Sequence, residues 1–147
     1  VKIASSLLFV ALGAAGAWSV SSDHRYFNLP GRTDKNPYSN AVLAGDTLYL
    51  AGDIGLDPAT GKPPASIETE VRMVMDRMKQ RLEMAGMTLD DVVAVQVFCP
   101  DLALYNEFNS IYRTYFKEDR FPARAFIGSG ALLGGGHFEV MATARKR

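Results

Sequence analysis

Two hydrophobic spacings divide the chain after residue 20. Over 66–86, Ile67, Val71, Val74, Met75, Met78, Leu82 and Ala85 recur at steps of three and four, one apolar stripe of a helix. Ser66 is a natural N-cap, Glu68 and Glu70 fall in the first turn, where the helix dipole favours anions, and Gly86 marks the end. Met75 and Met78 lie on the stripe itself, so the methionines read as core filler. A second stripe of Leu104, Phe108, Ile111, Tyr112 and Tyr115 predicts a helix beginning after Cys99-Pro100-Asp101, with Asp101 as its cap. Tyr105 and Asn109, four apart, share a neighbouring face of that helix.

Elsewhere the spacing is that of strands. Segments 41–44 and 47–52 are apolar-rich and joined by Gly45-Asp46, a pair suited to a two-residue hairpin turn. Asp57-Pro58-Ala59-Thr60-Gly61 supplies turn chemistry, and Pro63 and Pro64 prevent a strand from continuing. Segment 92–98 is so rich in β-branched residues that it predicts a buried central strand. Pro122 sets an extended entry into 123–127, with Arg124 and Phe126 on one face and Ala123, Ala125 and Ile127 on the other. After a bend at Gly134-Gly135-Gly136, Phe138, Val140, Ala142 and Ala144 alternate with Glu139, Met141 and Thr143 in a strand with one buried face. This order predicts an α+β fold, a mixed β-sheet with two helices packed on one face.

Composition excludes more than it selects. The 147 residues suit one domain, and 16 basic against 16 acidic side chains leave no net field to attract nucleic acid. Arg145-Lys146-Arg147 reads as a solvated end. Gly128-Ser129-Gly130 lacks the third glycine of a nucleotide loop, His24 and His137 lack metal-ligand spacing, and Cys99 is the single cysteine, so no nucleotide loop, metal site or internal disulfide is expected.

The N-terminal stretch stands apart. Lys2 precedes an apolar run over 3–17 that ends in Ala15-Gly16-Ala17, the form of a signal peptide. It is shorter than the roughly 20 apolar residues that span a bilayer, so a cleaved leader is expected over 1–20, with an N-terminal anchor, a buried N-terminal helix or a mis-called start as alternatives. Residues 21–147 would then form the domain. The mature chain would be periplasmic or secreted without stable membrane association, and cytoplasmic if the leader is not used.

Chemistry concentrates in the last third. An arginine offers two parallel hydrogen bonds to a planar carboxylate, and a glutamate beside it can orient or deprotonate a water. Arg124 and Glu139 would form such a pair if their strands bring them into one pocket; the alternative is an inter-strand salt bridge. Phe121-Pro122-Ala123-Arg124 with Glu139 fifteen positions on resembles the C-terminal signature of the reactive-intermediate deaminase (RidA/YjgF) family, whose older name is L-PSP endoribonuclease. The likeness extends through Asn36-Pro37-Tyr38-Ser39, Leu50-Ala51-Gly52-Asp53, Asp57-Pro58-Ala59-Thr60-Gly61 and Tyr105-Asn106-Glu107-Phe108-Asn109.

The resemblance implies a chorismate-mutase-like fold, a homotrimer with pockets between subunits, and cofactor-independent hydrolysis of small 2-imino acids and enamines such as 2-aminoacrylate to 2-keto acids and ammonia. It assigns the substrate carboxylate to Arg124, water handling to Glu139, and substrate contacts to Tyr38 and Asn109. Two contact positions depart from the family: Ala51 stands where a serine is common and Phe126 where a cysteine is common. Ala131-Leu132-Leu133 replaces an Arg-Leu-Pro loop. A more apolar pocket lining implies a bulkier or less polar substrate, or weaker activity. A non-catalytic ligand-binding or holdase-like module and a ribonuclease are the competing functions; a neutral chain argues against the last.

Overall fold

The computed structural model describes residues 23–147, so the leader expected over 1–20 lies outside the described residues. Six strands, β1 (His24–Phe27), β2 (Ala41–Ala44), β3 (Thr47–Ile54), β4 (Val92–Cys99), β5 (Ala123–Gly128) and β6 (Glu139–Arg145), form one sheet in the order β1-β2-β3-β6-β4-β5. Only β4 and β5 run parallel; every other pairing is antiparallel. Helices α1 (Ile67–Met84) and α2 (Tyr105–Tyr112) pack on one face.

Local chemistry accounts for these elements. Gly45 adopts φ +59° between Ala44 and Thr47, which face each other across the hairpin. The Ser66 side chain accepts a hydrogen bond from Thr69 N at the start of α1, and Gly86 takes φ +70° just past its end. Val71, Val74, Met75, Met78 and Leu82 are buried against Leu48, Leu50, Val95, Val97, Val140 and Ala144 from the sheet, with Phe108, Ile111 and Tyr112 of α2 closing the core.

Two sequence expectations need correction. The 92–98 run was expected to be buried, yet only Val92, Val95 and Val97 are; Val93 and Gln96 are exposed because no element among the described residues covers the second face. The second helical stripe divides into a 3-10 turn at Leu102–Leu104, α2, and another 3-10 turn at Arg113–Tyr115, so Leu104 and Tyr115 are only half-buried. Tightening from 3.6 to 3.0 residues per turn carries them off the stripe. Asp101 caps the first 3-10 turn, accepting from Ala103 N, rather than α2. Glu70 stands in the first turn of α1, as expected, and is fully buried beneath the start of β6.

Candidate functional site

The register of β4 decides where the two key side chains go. Val95 pairs with Arg124 on one side, and Phe98 pairs with Glu139 on the other. Residues 95 and 98 are an odd number apart and point to opposite faces, so Arg124 stands on the helix side and Glu139 on the open side. Within one chain the two do not share a pocket, and no ion pair joins them among the described residues. Each instead lines its own cavity.

The arginine cavity, about 350 Å³, is built by α2 and the entry to β5. Arg124 Nη2 donates to Asn109 Oδ1 at 2.7 Å, which orients the guanidinium. Its Cζ lies 4.5 Å from the Tyr112 ring centre and within 6 Å of the rings of Tyr105, Phe108 and Phe126. This aromatic collar attracts the cation and limits its rotamers. Phe126 touches Tyr105 and Phe108 edge-on and supports the collar. The Tyr112 hydroxyl is buried with no hydrogen-bond partner, and burial pushes its pKa up to about 12 despite the opposing pull of Arg124.

The glutamate cavity, about 480 Å³, brings Glu139 together with Tyr38, Ala51, Gly52, Asp53 and Leu133. Between Leu50 and Asp53 the β3–β6 register slips by one residue, a β-bulge centred on Ala51 and Gly52. The bulge turns Gly52 toward Glu139: a Cβ at Gly52 would overlap the Glu139 carboxylate. It also sends Asp53 toward α1, where Arg81 Nη2 lies 3.0 Å from Asp53 Oδ1 and Arg81 Nη1 donates to Ala51 O at 3.1 Å. Arg77 donates to Ile54 O and Leu56 O. Two arginines of α1 therefore hold the bulge in place. Burial pushes the Asp53 carboxyl up, against the pull of Arg81 and Arg77.

Tyr38 reaches this cavity on a loop organised by Arg32. Arg32 donates to Asp34, to Asn28 Oδ1 and to Tyr38 O, and its Cζ lies 4.6 Å from the Tyr38 ring centre. The guanidinium holds the Asp34 carboxyl below its ordinary pKa. The glycine bend packs across the same region. Gly134 takes φ +67° against Leu56, and a Cβ at Gly136 would overlap Ile54. These glycines serve packing beside the glutamate cavity rather than a backbone cradle beside Arg124.

The structure thus collects the sequence candidates into two groups, Arg124 with Asn109 and Phe126, and Glu139 with Tyr38 and Ala51. Sequence reasoning missed Asp53 and Arg81, whose pairing depends on the bulge, and the unpartnered hydroxyl of Tyr112, which was read only as core. The three-residue step from Asn109 to Tyr112 was the available signal for the latter.

A mixed sheet backed by two helices, with an arginine and a glutamate in clefts on its opposite faces, defines a small α+β protein of the Rid fold class. Residues 32–146 match the family described as Endoribonuclease L-PSP, and the chain belongs to that family, which includes the RidA proteins. The chain is 38% identical over 109 residues to human 2-iminobutanoate/2-iminopropanoate deaminase, covering 74% of this chain and 79% of that one. It is 37% identical over 111 residues to a RutC family protein of Pyrococcus horikoshii, covering 75% and 87%. Among solved structures, RidA from the Antarctic bacterium Psychrobacter sp. PAMC 21119 superposes with a TM-score of 0.71 at 31% identity, covering 77% of this chain and 91% of that chain. Yeast Mmf1 superposes with a TM-score of 0.73 at 28% identity, covering 85% and 100%.

Proposed function

We propose that the chain is a cofactor-independent deaminase that hydrolyses 2-imino acids to 2-oxo acids and ammonia, at sites where the arginine cavity of one copy meets the glutamate cavity of another. The observation that carries this reading is the separation of two complementary half-sites on opposite faces of one sheet, beside a relative named as an iminobutanoate deaminase. One half supplies an oriented cation for a carboxylate, the other a carboxylate without an internal ion-pair partner among the described residues. A homotrimer places such halves against each other around a ring, since a heterologous contact repeated three times closes on itself.

In this reading Arg124 grips the substrate carboxylate through its free guanidinium edge while Asn109 occupies the other side. Glu139 accepts a proton from a water as that water attacks the imine carbon, giving a tetrahedral carbinolamine. The carboxylic acid returns that proton to nitrogen, the carboxylate then takes the hydroxyl proton and passes it to the same nitrogen, and the C–N bond breaks so that ammonia leaves as the carbonyl forms. Ala51 provides no hydroxyl beside Glu139, so water positioning falls to Tyr38 and to backbone groups of the bulge.

The test is ammonia release from imines generated in place by an amino-acid oxidase, with wild type, Arg124→Ala and Glu139→Ala in parallel. Wild type should exceed the spontaneous rate. Loss of the general base should lower the enzymatic rate by about 10²–10⁴-fold, and loss of the clamp should appear chiefly in KM. A folded wild type that never exceeds background, with any imine, would sink the deaminase reading.

A further inference from the structure

The arginine cavity holds a buried donor with no partner among the described residues. Tyr112 is only 4% exposed, it lines the cavity, and its hydroxyl has no hydrogen-bond partner. Buried polar groups are ordinarily satisfied, and an orphan beside a cavity marks a place where a ligand atom completes the bond. The hydroxyl keeps its proton through neutral pH, because burial holds its pKa at about 12. With Asn109 Oδ1 already accepting from Arg124, the Asn109 amide nitrogen remains a donor. The lining also contains a second arginine, Arg113, and no carboxylate. The lining side chains thus offer a ligand two cations, an amide donor and two phenols, and no anion.

Shape adds a second requirement. Tyr105 and Phe121 line the cavity with rings that are 43% and 44% exposed. The volume, about 350 Å³, falls in the range of roughly 300–1,000 Å³ typical of clefts for drug-sized ligands. A 2-imino acid with a methyl side chain leaves most of that space unfilled and both rings uncovered. An aromatic side chain occupies more of it and offers the two rings a face to pack against.

We propose that this cavity selects 2-imino acids, and the corresponding 2-oxo acids, that carry an aromatic side chain, with the Tyr112 hydroxyl donating to the carboxylate beside Arg124. Tyr112 is then a substrate-positioning residue, and Tyr105 and Phe121 determine specificity. The inference rests on the deaminase reading for turnover, while its binding claim is tested separately.

The experiment titrates the intact protein with phenylpyruvate and with pyruvate by calorimetry, using wild type, Tyr112→Phe and Arg124→Ala. It then measures hydrolysis of the imines generated from phenylalanine and from alanine. Phenylpyruvate should bind at least about tenfold more tightly than pyruvate. Tyr112→Phe should weaken it by about tenfold, the loss of one hydrogen bond to a charged group, and Arg124→Ala should abolish binding. The phenylalanine substitution removes only an unpartnered oxygen, so its Tm should equal or exceed that of wild type, separating a ligand contact from a structural role. In kinetics the same variant should raise KM with kcat nearly unchanged. Equal affinity for the two oxo acids, or a Tyr112→Phe protein that binds phenylpyruvate like wild type, overturns the proposal. Tyr112-dependent phenylpyruvate binding without hydrolysis of any imine supports the aromatic site and removes the deaminase reading. Hydrolysis that favours the alanine-derived imine leaves that reading standing and overturns this inference.

Discussion

Glu70 Oε2 lies 2.6 Å from His137 Nδ1, and the other oxygen of the same carboxylate accepts from His137 N at 2.7 Å and Phe138 N at 3.3 Å. A fully buried side chain of α1 thus receives the backbone where the glycine bend turns into β6, one residue before Glu139. Glu70→Ala leaves buried donors without partners, each of which costs about 1–3 kcal/mol. We expect a lower Tm and a loss of deaminase activity through misplacement of Glu139. His137→Ala, which keeps both backbone bonds to Glu70, should be the milder change in calorimetry.

Arg124 and Glu139 face away from each other across β4, so each proposed site needs two copies of the chain. Mixing the two impaired variants, Arg124→Ala and Glu139→Ala, unfolding them together and refolding should recover activity at a substrate concentration where neither variant alone turns over measurably. With random assembly of a closed ring, about a quarter of the interfaces pair an intact arginine half with an intact glutamate half. Recovery near that fraction, measured as ammonia release, checks the arrangement; no recovery from correctly assembled mixtures contradicts it.

Gly52 sits in the β3 bulge with no space between its Cα and the Glu139 carboxylate. In Gly52→Ala the obstacle is the mobile end of a side chain, so stability should change by less than about 1 kcal/mol. If Glu139 is the proposed general base, activity should fall at least tenfold, because the added methyl displaces its carboxylate. Gly45→Ala strains a positive φ far from either cavity, and should lower Tm while leaving kcat/KM intact.

The phenol of Tyr112 ionises at about 12 in the folded protein against an ordinary value of 10.0. A raised folded-state value means that its contribution to stability is complete below pH 10 and is lost as pH rises toward 12. Thermal midpoints compared at pH 9 and pH 11 should show a smaller alkaline loss for Tyr112→Phe than for wild type. An identical loss in both proteins would place the alkaline sensitivity elsewhere.

Much of the fold was legible because its signals are local. The steps of three and four from Ile67 to Ala85, the Ser66 cap and the Gly45-Asp46 turn each act within a few residues, and all three appear as read. The strand 92–98 was found but its environment was not. Its apolar run specifies extended backbone, whereas burial of its second face depends on surfaces that the described residues do not supply.

Sequence alone determined the element types, the α+β class and the family, along with Arg124 and Glu139 as the residues worth pursuing, since periodicity and short motifs are carried by neighbours in the chain. Only the tertiary structure decided that β4 lies between their strands and turns them to opposite faces. It also decided that a one-residue bulge aims Gly52 at Glu139 and Asp53 at Arg81, and that Tyr112 ends as an unpartnered donor beside Arg124. Strand order and register arise from pairings between residues far apart in the chain, and a slip of one position reverses every side chain, so no local pattern encodes them.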